Sequence, residues 1–435
     1  MRTTLPSRTG KVVWLTMNET PTHSTGTRGS TAFFTDMYEL TMLDAALKDG
    51  TAQRECIFEV FGRRLPNERR YGVVAGTERV LDAITKFRFT QDQLDSADFL
   101  SPQAREYLAN YKFSGQIDGY REGDLYFPYS PIMTVRGTFA ECVILETVIL
   151  SILNSDSAVA SAASRMVSAA DGRPIIEMGS RRTNEQNAVS AARATYIAGF
   201  NATSNMEASL RYGIPASGTS AHSWTLLHVD EDGRPDEKAA FQGQIDSLGV
   251  DTTLLVDTFD ITKGVENALA VAGTELGGVR IDSGDLGIVS RRVRKQLDEA
   301  GAFNTRIIVS SDLDEFAIAG LRGDPVDGFG VGTSVVTGSS APTAGLVYKL
   351  VEVDGHPVAK RSSGKITHGG GKTALRAYRS SGVAVAEVVL PLGTEVAHKP
   401  NLDYREMTVP LIRDGEIVDG QPSICLLYTS DAADD

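Results

Sequence analysis

Cysteine is scarce and its spacing carries no pattern: Cys56, Cys142 and Cys425 are far apart, odd in number and never in a CxxC pair. That excludes a disulfide framework and a zinc knuckle, and suits a reducing compartment. Basic charge is in deficit as well. Lys and Arg number 43 against 56 Asp and Glu, a net charge of −13, so the chain lacks the cationic surface with which nucleic-acid binders neutralise phosphates. Any anionic ligand must therefore meet a local basic pocket. No run approaches the roughly 18 consecutive apolar residues of a bilayer span, and the N-terminus has no apolar signal core; cytoplasmic placement is the expectation. The bias typical of disordered chains is also missing, since 435 residues at 41% hydrophobic and 23% charged support roughly two or three domains with cores of their own.

What is present is a recurring design. VRIDSGDLG (Val279 to Gly287) is a short apolar run that discharges into polar residues around glycine, and IIEMGSRR (Ile175 to Arg182), LLVDTFD (Leu254 to Asp260), IIVSSDLD (Ile307 to Asp314) and GFGVGTS (Gly328 to Ser334) repeat it. Helix-like spacing of apolar residues over Ala188 to Ala198, Val265 to Ala272, Ser290 to Ala300 and Glu315 to Leu321 separates these runs, a strand, loop, helix rhythm that predicts parallel pairing. In such folds the carboxyl ends of the strands carry the chemistry, because their loops vary while the sheet holds the geometry. About six units fit between Pro174 and Gly338, fewer than a regular barrel holds, so the expectation is an irregular or incomplete α/β barrel; an open doubly wound sheet is the alternative.

The flanks read differently. Residues 1–30, rich in Thr, Ser and Gly, are expected to be a disordered extension, with Met17 a candidate true start. An N-terminal part over 31–150 begins with a helix carrying Leu40, Leu43 and Leu47 on one face, capped by Thr35 or Asp36. It continues through strand-like CIFEVFGRRLP and reaches the helix Glu146 to Ala170, which leads into a barrel over 151–344. From 345 to 423 the pattern turns to alternation, with a hairpin signal at Asp354 and Gly355. This β-rich part is expected to join the N-terminal part in one α+β domain. Residues 424–435 read as foreign to the fold. Gly371, Lys372 and Thr373 imitate the end of a P-loop, but Ile366 stands where glycine is needed and the flanks alternate like a hairpin. Gly364 and Lys365 are left as a loop that either approaches phosphates or is a plain turn.

On the predicted rim, His222 lies on a glycine-punctuated loop and Asp257 ends a strand; a carboxylate fixing one ring nitrogen would leave the other free as nucleophile or base. Arg181, Arg182 and Arg280 follow glycines at two strand ends and would converge on one opening, where guanidinium forks suit phosphate; pairing with Asp282, Asp285 or Glu177 is the structural alternative. Gly330 and Gly332 offer backbone N–H groups to a phosphate. Asp282, Asp285, Asp312 and Asp314 could position hydroxyls or magnesium. Paired aspartates also fit a barrel glycosidase, but nearby cations would disfavour an oxocarbenium ion.

Taken in order, TDMYELTM (Thr35 to Met42), MGSRRTNEQNA, GFNATSN, GTSAHSW, LLVDTFDITKGVENAL, VRIDSGDLG, SSDLDE and FGVGTSVVT resemble the nicotinate phosphoribosyltransferase family, from about Thr31 to about Ser423. The resemblance implies a type II phosphoribosyltransferase fold, a homodimer with shared active sites, and a place in NAD biosynthesis. It also implies ATP and Mg2+ as cofactors, with no membrane or nucleic-acid partner. His222 would be transiently phosphorylated by ATP and held by Asp257. Tyr38 would stack on the pyridine ring in the partner's site, with Met178, Ser204 and Arg280 also contacting nicotinate. Arg181, Arg182, Asp282, Ser283, Gly284, Asp312, Gly330, Gly332 and Thr333 would bind phosphoribosyl pyrophosphate, and no residue is assigned as a metal ligand. Related nicotinamide enzymes carry aspartate at the position of Ser204, so serine there favours the acid. The missing Pro-Gly turn at HGGGK and the unusual tail depart from the family pattern. A nicotinamide-using enzyme and a non-catalytic metabolite-binding relative remain as alternatives.

Overall fold

The computed structural model describes residues 3–6, 12–15, 29–66, 69–361, 367–395 and 399–418. Its centre is a six-stranded parallel sheet in the order Thr253–Leu255, Gly278–Ile281, Arg306–Ser311, Gly328–Val331, Ile175–Glu177, Ala202–Thr203. The order decides between the two expected architectures. A doubly wound sheet reverses strand order at a switch point, whereas here successive strands pair, apart from Ala202–Thr203 and Thr253–Leu255 at the two edges, and the last, Gly328–Val331, pairs with the first, Ile175–Glu177. That is barrel order, continued by a parallel bridge from Thr203 to Ala216 and open, among the described residues, between there and Thr253–Leu255. The barrel is partial.

Each strand is short and apolar because helices cover its outer side while its neighbours fill the interior. The crossings are the helices Glu185–Ile197, Ile261–Ala272, Leu286–Glu299 and Glu315–Gly320. Asn184, Asp260, Asp285 and Asp314 start them, each accepting backbone N–H bonds from the first turn. Asp285 and Asp314, expected as rim carboxylates, are thereby occupied as caps.

A second sheet is antiparallel and seven-stranded: His356–Pro357, Leu346–Val353, Glu55–Gly62, Met133–Thr138, Gln116–Tyr120, Thr408–Arg413, Glu416–Ile417. Three strands from before the barrel thus form the middle of this sheet, with two from after it on either side. The hairpin signal holds: Asp354 and Gly355 both have positive φ, 48° and 77°, the backbone a two-residue I′ turn requires. Lys372 opens the strand Lys372–Tyr378 and bonds Glu59 at 2.7 Å, as the rejection of a P-loop requires. Gly364, Lys365 and the tail from 419 onward lie outside the described residues. Within the N-terminal extension, Thr3–Pro6 pairs antiparallel with Val12–Leu15; the rest of residues 1–28 lies outside the described residues.

Two hydrophobic cores result. One gathers Leu43, Phe58, Phe87, Tyr111 and Val135 with Tyr348, Met407 and Ile412 from beyond the barrel. The other gathers Met166, Phe241, Leu254, Val279, Ile307 and Phe329. The 25-residue helix Glu146–Ala170, about 37 Å long at 1.5 Å per residue, joins them. Its Ile149 and Leu153 enter the first core, and Val159, Ala163 and Met166 the second. Beside it, buried Arg193 grips Glu122 through two nitrogens at 2.8 and 2.6 Å and also pairs with Glu78, while Arg79 grips Asp156 at 2.6 and 2.8 Å. Ions thus bridge the helix Glu185–Ile197 to the N-terminal part.

Candidate active site

The polar ends of the parallel strands share one rim, and its residues are tied to one another across strands. The buried carboxylate of Asp257 accepts from the Asp282 backbone N–H at 2.8 Å and from the Ser283 hydroxyl at 2.7 Å. It ties two strand ends together. Its other oxygen, Oδ1, is buried without a hydrogen-bond partner among the described residues. His222, first residue of the helix His222–Leu227, is half-exposed; its Nδ1 lies 3.1 Å from Thr258 Oγ1 and its Nε2 3.8 Å from Asp282 Oδ2. The expected contact from Asp257 to the imidazole is therefore corrected: the adjacent hydroxyl of Thr258 takes the ring nitrogen, while Asp257 turns inward to hold the loop of Asp282 and Ser283.

Arg280 donates from Nε to Ser310 Oγ at 2.8 Å, and Ser310 donates to Asp282 Oδ1 at 2.7 Å. An Arg280 terminal nitrogen stands 3.8 Å from Asp282 Oδ2. The pairing of Arg280 with Asp282 foreseen as a structural alternative is thus present only at the outer limit of an ion pair. Among the described residues Glu177 pairs with no arginine: it is fully buried and its carboxylate accepts from Gly179 N–H and from Thr203 Oγ1, at 2.6 Å for the latter. Burial pushes its acid up from the usual carboxylate value.

Arg181 and Arg182 lie in a 3-10 turn, Ser180–Arg182, exposed and without an ion pair among the described residues. That leaves both cations available to an anion. Asn205 bonds Ser180 at 3.0 Å, and the Ser204 N–H bonds the Glu177 carbonyl at 2.9 Å, which fixes exposed Ser204 beside the arginine turn. Asp312 is exposed at the end of Arg306–Ser311. Gly284 takes a left-handed φ of 85° in the turn that presents Ser283.

The glycines after Gly328 pack tightly. A Cβ on Gly330 would lie 2.7 Å from Met178 Sδ and 3.1 Å from Ser310 Cβ, and the Met178 N–H bonds Val331 at 2.7 Å. Met178 therefore floors the rim between two strands. Gly332 and Thr333 lead into the short helix Thr333–Val336. A side chain at Gly179 would overlap Val336 and stand 2.9 Å from the Gly332 carbonyl oxygen. Gly179→Ala must move the glycine turn, and overpacking of this kind costs about 1–3 kcal/mol. The variant is expected to lose that much stability in urea unfolding; an unfolding curve that overlays the parent's would show that the turn yields at no cost.

Tyr38 sits elsewhere, near the start of the helix Met37–Asp49, half-exposed beside the first turn of Glu146–Ala170. Burial of part of its ring, with Glu146 and Glu39 nearby, pushes its phenol up to about 12; it stays neutral near pH 7 and offers a ring face and a hydroxyl. Two rim residues escaped the sequence reading, Thr258 and Ser310. Thr258 directly follows Asp257, and Ser310 is a hydroxyl on the same strand face as Ile308, where an apolar residue is expected.

A partial parallel barrel with arginines, acids and a glycine turn at its carboxyl rim defines a phosphate-handling enzyme site. The family description for the nicotinate phosphoribosyltransferase N-terminal domain matches residues 33–154, and that for the nicotinate phosphoribosyltransferase family matches residues 174–380. Nicotinate phosphoribosyltransferase pncB1 of Mycobacterium tuberculosis is 60% identical over 388 residues, covering 88% of this chain and 86% of that protein. The Bacillus subtilis nicotinate phosphoribosyltransferase is 38% identical over 376 residues, 81% and 74% of the two chains. Among solved structures, human nicotinic acid phosphoribosyltransferase superposes with a TM-score of 0.75 at 25% identity over 91% of this chain and 92% of that one. A Pyrococcus furiosus protein described as nicotinate-nucleotide pyrophosphorylase gives 0.77 at 26% identity over 95% and 96%. The chain belongs to the nicotinate phosphoribosyltransferase family.

Proposed function

We propose that the rim transfers the phosphoribosyl group of phosphoribosyl pyrophosphate to nicotinate, coupled to ATP hydrolysis through His222, in NAD biosynthesis. The observation that carries this is the junction of His222, Asp282 and Arg280, with His222 Nε2 and an Arg280 nitrogen each 3.8 Å from Asp282 Oδ2. An imidazole, a carboxylate and a guanidinium thus face one opening.

In the transfer the bond from ribose C1 to the pyrophosphate oxygen breaks, its electron pair leaves with pyrophosphate, and the pyridine nitrogen lone pair forms the new bond to C1. Little acid–base work is needed. The protein aims the ring and stabilises the anionic leaving group, roles that fall to Arg280 on the nicotinate carboxylate, to Asp282 and Asp312 on ribose hydroxyls, and to Arg181, Arg182, Gly330, Gly332 and Thr333 on phosphates. In the coupled step His222 takes the γ-phosphoryl group of ATP, releasing ADP, and water later removes it as phosphate. Among the described residues no group of three or more metal-ligating side chains forms a cage. The rim's carboxylates still fit magnesium, which favours one or two of them together with substrate phosphates. Asp282 Oδ2 and Asp312 are the oxygens available, and the ion, when bound, would neutralise charge on the departing pyrophosphate.

Two copies of the chain complete the site, each lending Tyr38 to the other's pyridine ring; the exposed Phe33, Phe34 and Met37 around Tyr38 support burial in an assembly. We divide the chain into an α+β domain over 31–150 and 345–423 and a barrel domain over 151–344; the two cores support this division apart from Leu153 and Ala344, which lie in the first core, and Val73 and Ala75, which lie in the second. The acid is preferred to nicotinamide because Ser204 puts no carboxylate beside the ring. Incubation with nicotinate, phosphoribosyl pyrophosphate, ATP and magnesium in a cytoplasm-like buffer should yield nicotinate mononucleotide, pyrophosphate and ADP. Absence of the mononucleotide would end this reading, and ADP without dependence on nicotinate would end the coupling.

A further inference from the structure

The geometry points to Ser310 as a second residue, besides Ser204, that sets the choice between a carboxylate and a neutral amide on the pyridine ring, by holding Arg280 and Asp282 apart. This inference rests on the assignment of Arg280 to the nicotinate carboxylate. The three residues form a chain whose direction is forced. A guanidinium only donates and an ionised carboxylate only accepts, so the 2.8 Å contact runs from Arg280 Nε to Ser310 Oγ, and the single hydroxyl proton goes to Asp282 Oδ1 at 2.7 Å. Both bonds are charge-assisted and polarise each other in the same sense.

The position of Ser310 permits nothing larger and leaves little freedom. It is 4% exposed. It pairs in register with Gly330, where an added Cβ would come within 3.1 Å of its own Cβ, so the facing glycine keeps the space that the serine occupies. Arg280, on the adjacent strand, pairs with Ile308, one pleat before Ser310, which brings its Nε over the hydroxyl. With Nε held, the terminal nitrogens are left to present a fork to the opening. Asp282 Oδ2, held through its partner oxygen, stays 3.8 Å from the nearest of them.

Without the hydroxyl, Nε–H and Oδ1 lose their shared partner. The remaining 3.8 Å gap then closes into a direct ion pair, which occupies the fork that would take a carboxylate and gives no advantage over an amide. Ser310 is a positioning residue in this scheme, since it acts through Arg280 and Asp282.

Ser310→Ala, Arg280→Lys and the double variant are compared by KM for nicotinate and for nicotinamide at saturating phosphoribosyl pyrophosphate. Loss of a charge-assisted bond predicts that Ser310→Ala raises KM for nicotinate by about tenfold or more, leaves KM for nicotinamide within about twofold, and so shrinks the preference for the acid. In the Arg280→Lys background, where no Nε exists, Ser310→Ala should shift that preference no further, the non-additivity expected of residues in one network. A merely structural serine would change both substrates alike and add its effect in the double variant, and either result overturns the inference. If Arg280→Lys itself leaves the preference unchanged, the assignment of Arg280 fails instead. A raised nicotinate KM in Arg280→Lys with none in Ser310→Ala rejects Ser310 alone.

Discussion

His222→Ala is expected to abolish nicotinate-dependent release of ADP and to slow nicotinate mononucleotide formation at limiting substrate by about a hundredfold or more, the scale of losing a positioned imidazole. The reason is geometric. His222 is held at Nδ1 by Thr258 and presents Nε2 toward Asp282, so alanine removes the imidazole proposed to accept the phosphoryl group and return it to water. Since the ring is half-exposed and caps no core, folding should be nearly unaffected, and urea unfolding of the variant should overlay that of the parent. Discontinuous assays of ADP and mononucleotide on the same samples check both. Retained ADP release with undiminished transfer would remove His222 from the chemistry.

The second large effect concerns the ions that join the two cores. Arg193 is 1% exposed and donates two bonds to the Glu122 carboxylate, which also accepts from the Gly76 N–H at 2.6 Å, with its guanidinium over the Tyr212 ring. Burial raises the Glu122 acid, but the charge and hydrogen bonds of Arg193, with backbone N–H groups of Gly76 and Glu78, together lower it more, so the balance lies below the usual value of 4.5. A depressed native value means stability that is present above the unfolded value and lost as pH falls through the native one. Arg193→Met leaves that carboxylate buried with no facing cation of comparable reach. It should cost about 3–5 kcal/mol at neutral pH. The pH slope should also invert: with burial then dominant, Glu122 is raised rather than lowered, and stability from this group falls as pH rises through the carboxylate range. Adding Glu122→Gln should recover part of the loss, because a neutral amide can be buried at lower cost. Denaturant unfolding of the three proteins between pH 4 and 7 measures all of this, and equal slopes in parent and Arg193→Met would refute it.

Much of the rim is legible in the chain because a parallel strand announces itself as an apolar run and its functional end as the point where polarity begins. Ile175, Leu254, Val279, Ile307 and Gly328 all fall in the strands of one sheet. Barrel order is less accessible, since it depends on the pairing of Gly328–Val331 with Ile175–Glu177, partners some 150 residues apart with no local signal. The acids show why residue type alone misassigns roles. Asp285 and Asp314 precede helices, and the ordinary demand of a first helical turn for an acceptor takes them from the rim. Asp257 and Thr258 are neighbours, yet side chains of adjacent residues point to different sides of an extended backbone. The acid goes inward to the Asp282 loop and the hydroxyl outward to His222. Ser310 hides for a related reason: a serine is polar enough for a loop and small enough for a core, and only its two bonding partners reveal which it serves.

One cavity must receive both anionic reactants, and a crystal structure of the protein grown with nicotinate mononucleotide and pyrophosphate tests that most directly. The expected density places the pyridine carboxylate on the Arg280 fork, the 5′-phosphate against the backbone of Gly332 and Thr333, and pyrophosphate between Arg181 and His222. A nucleotide bound away from Arg280 and the glycine turn, with this rim left to solvent, would contradict it.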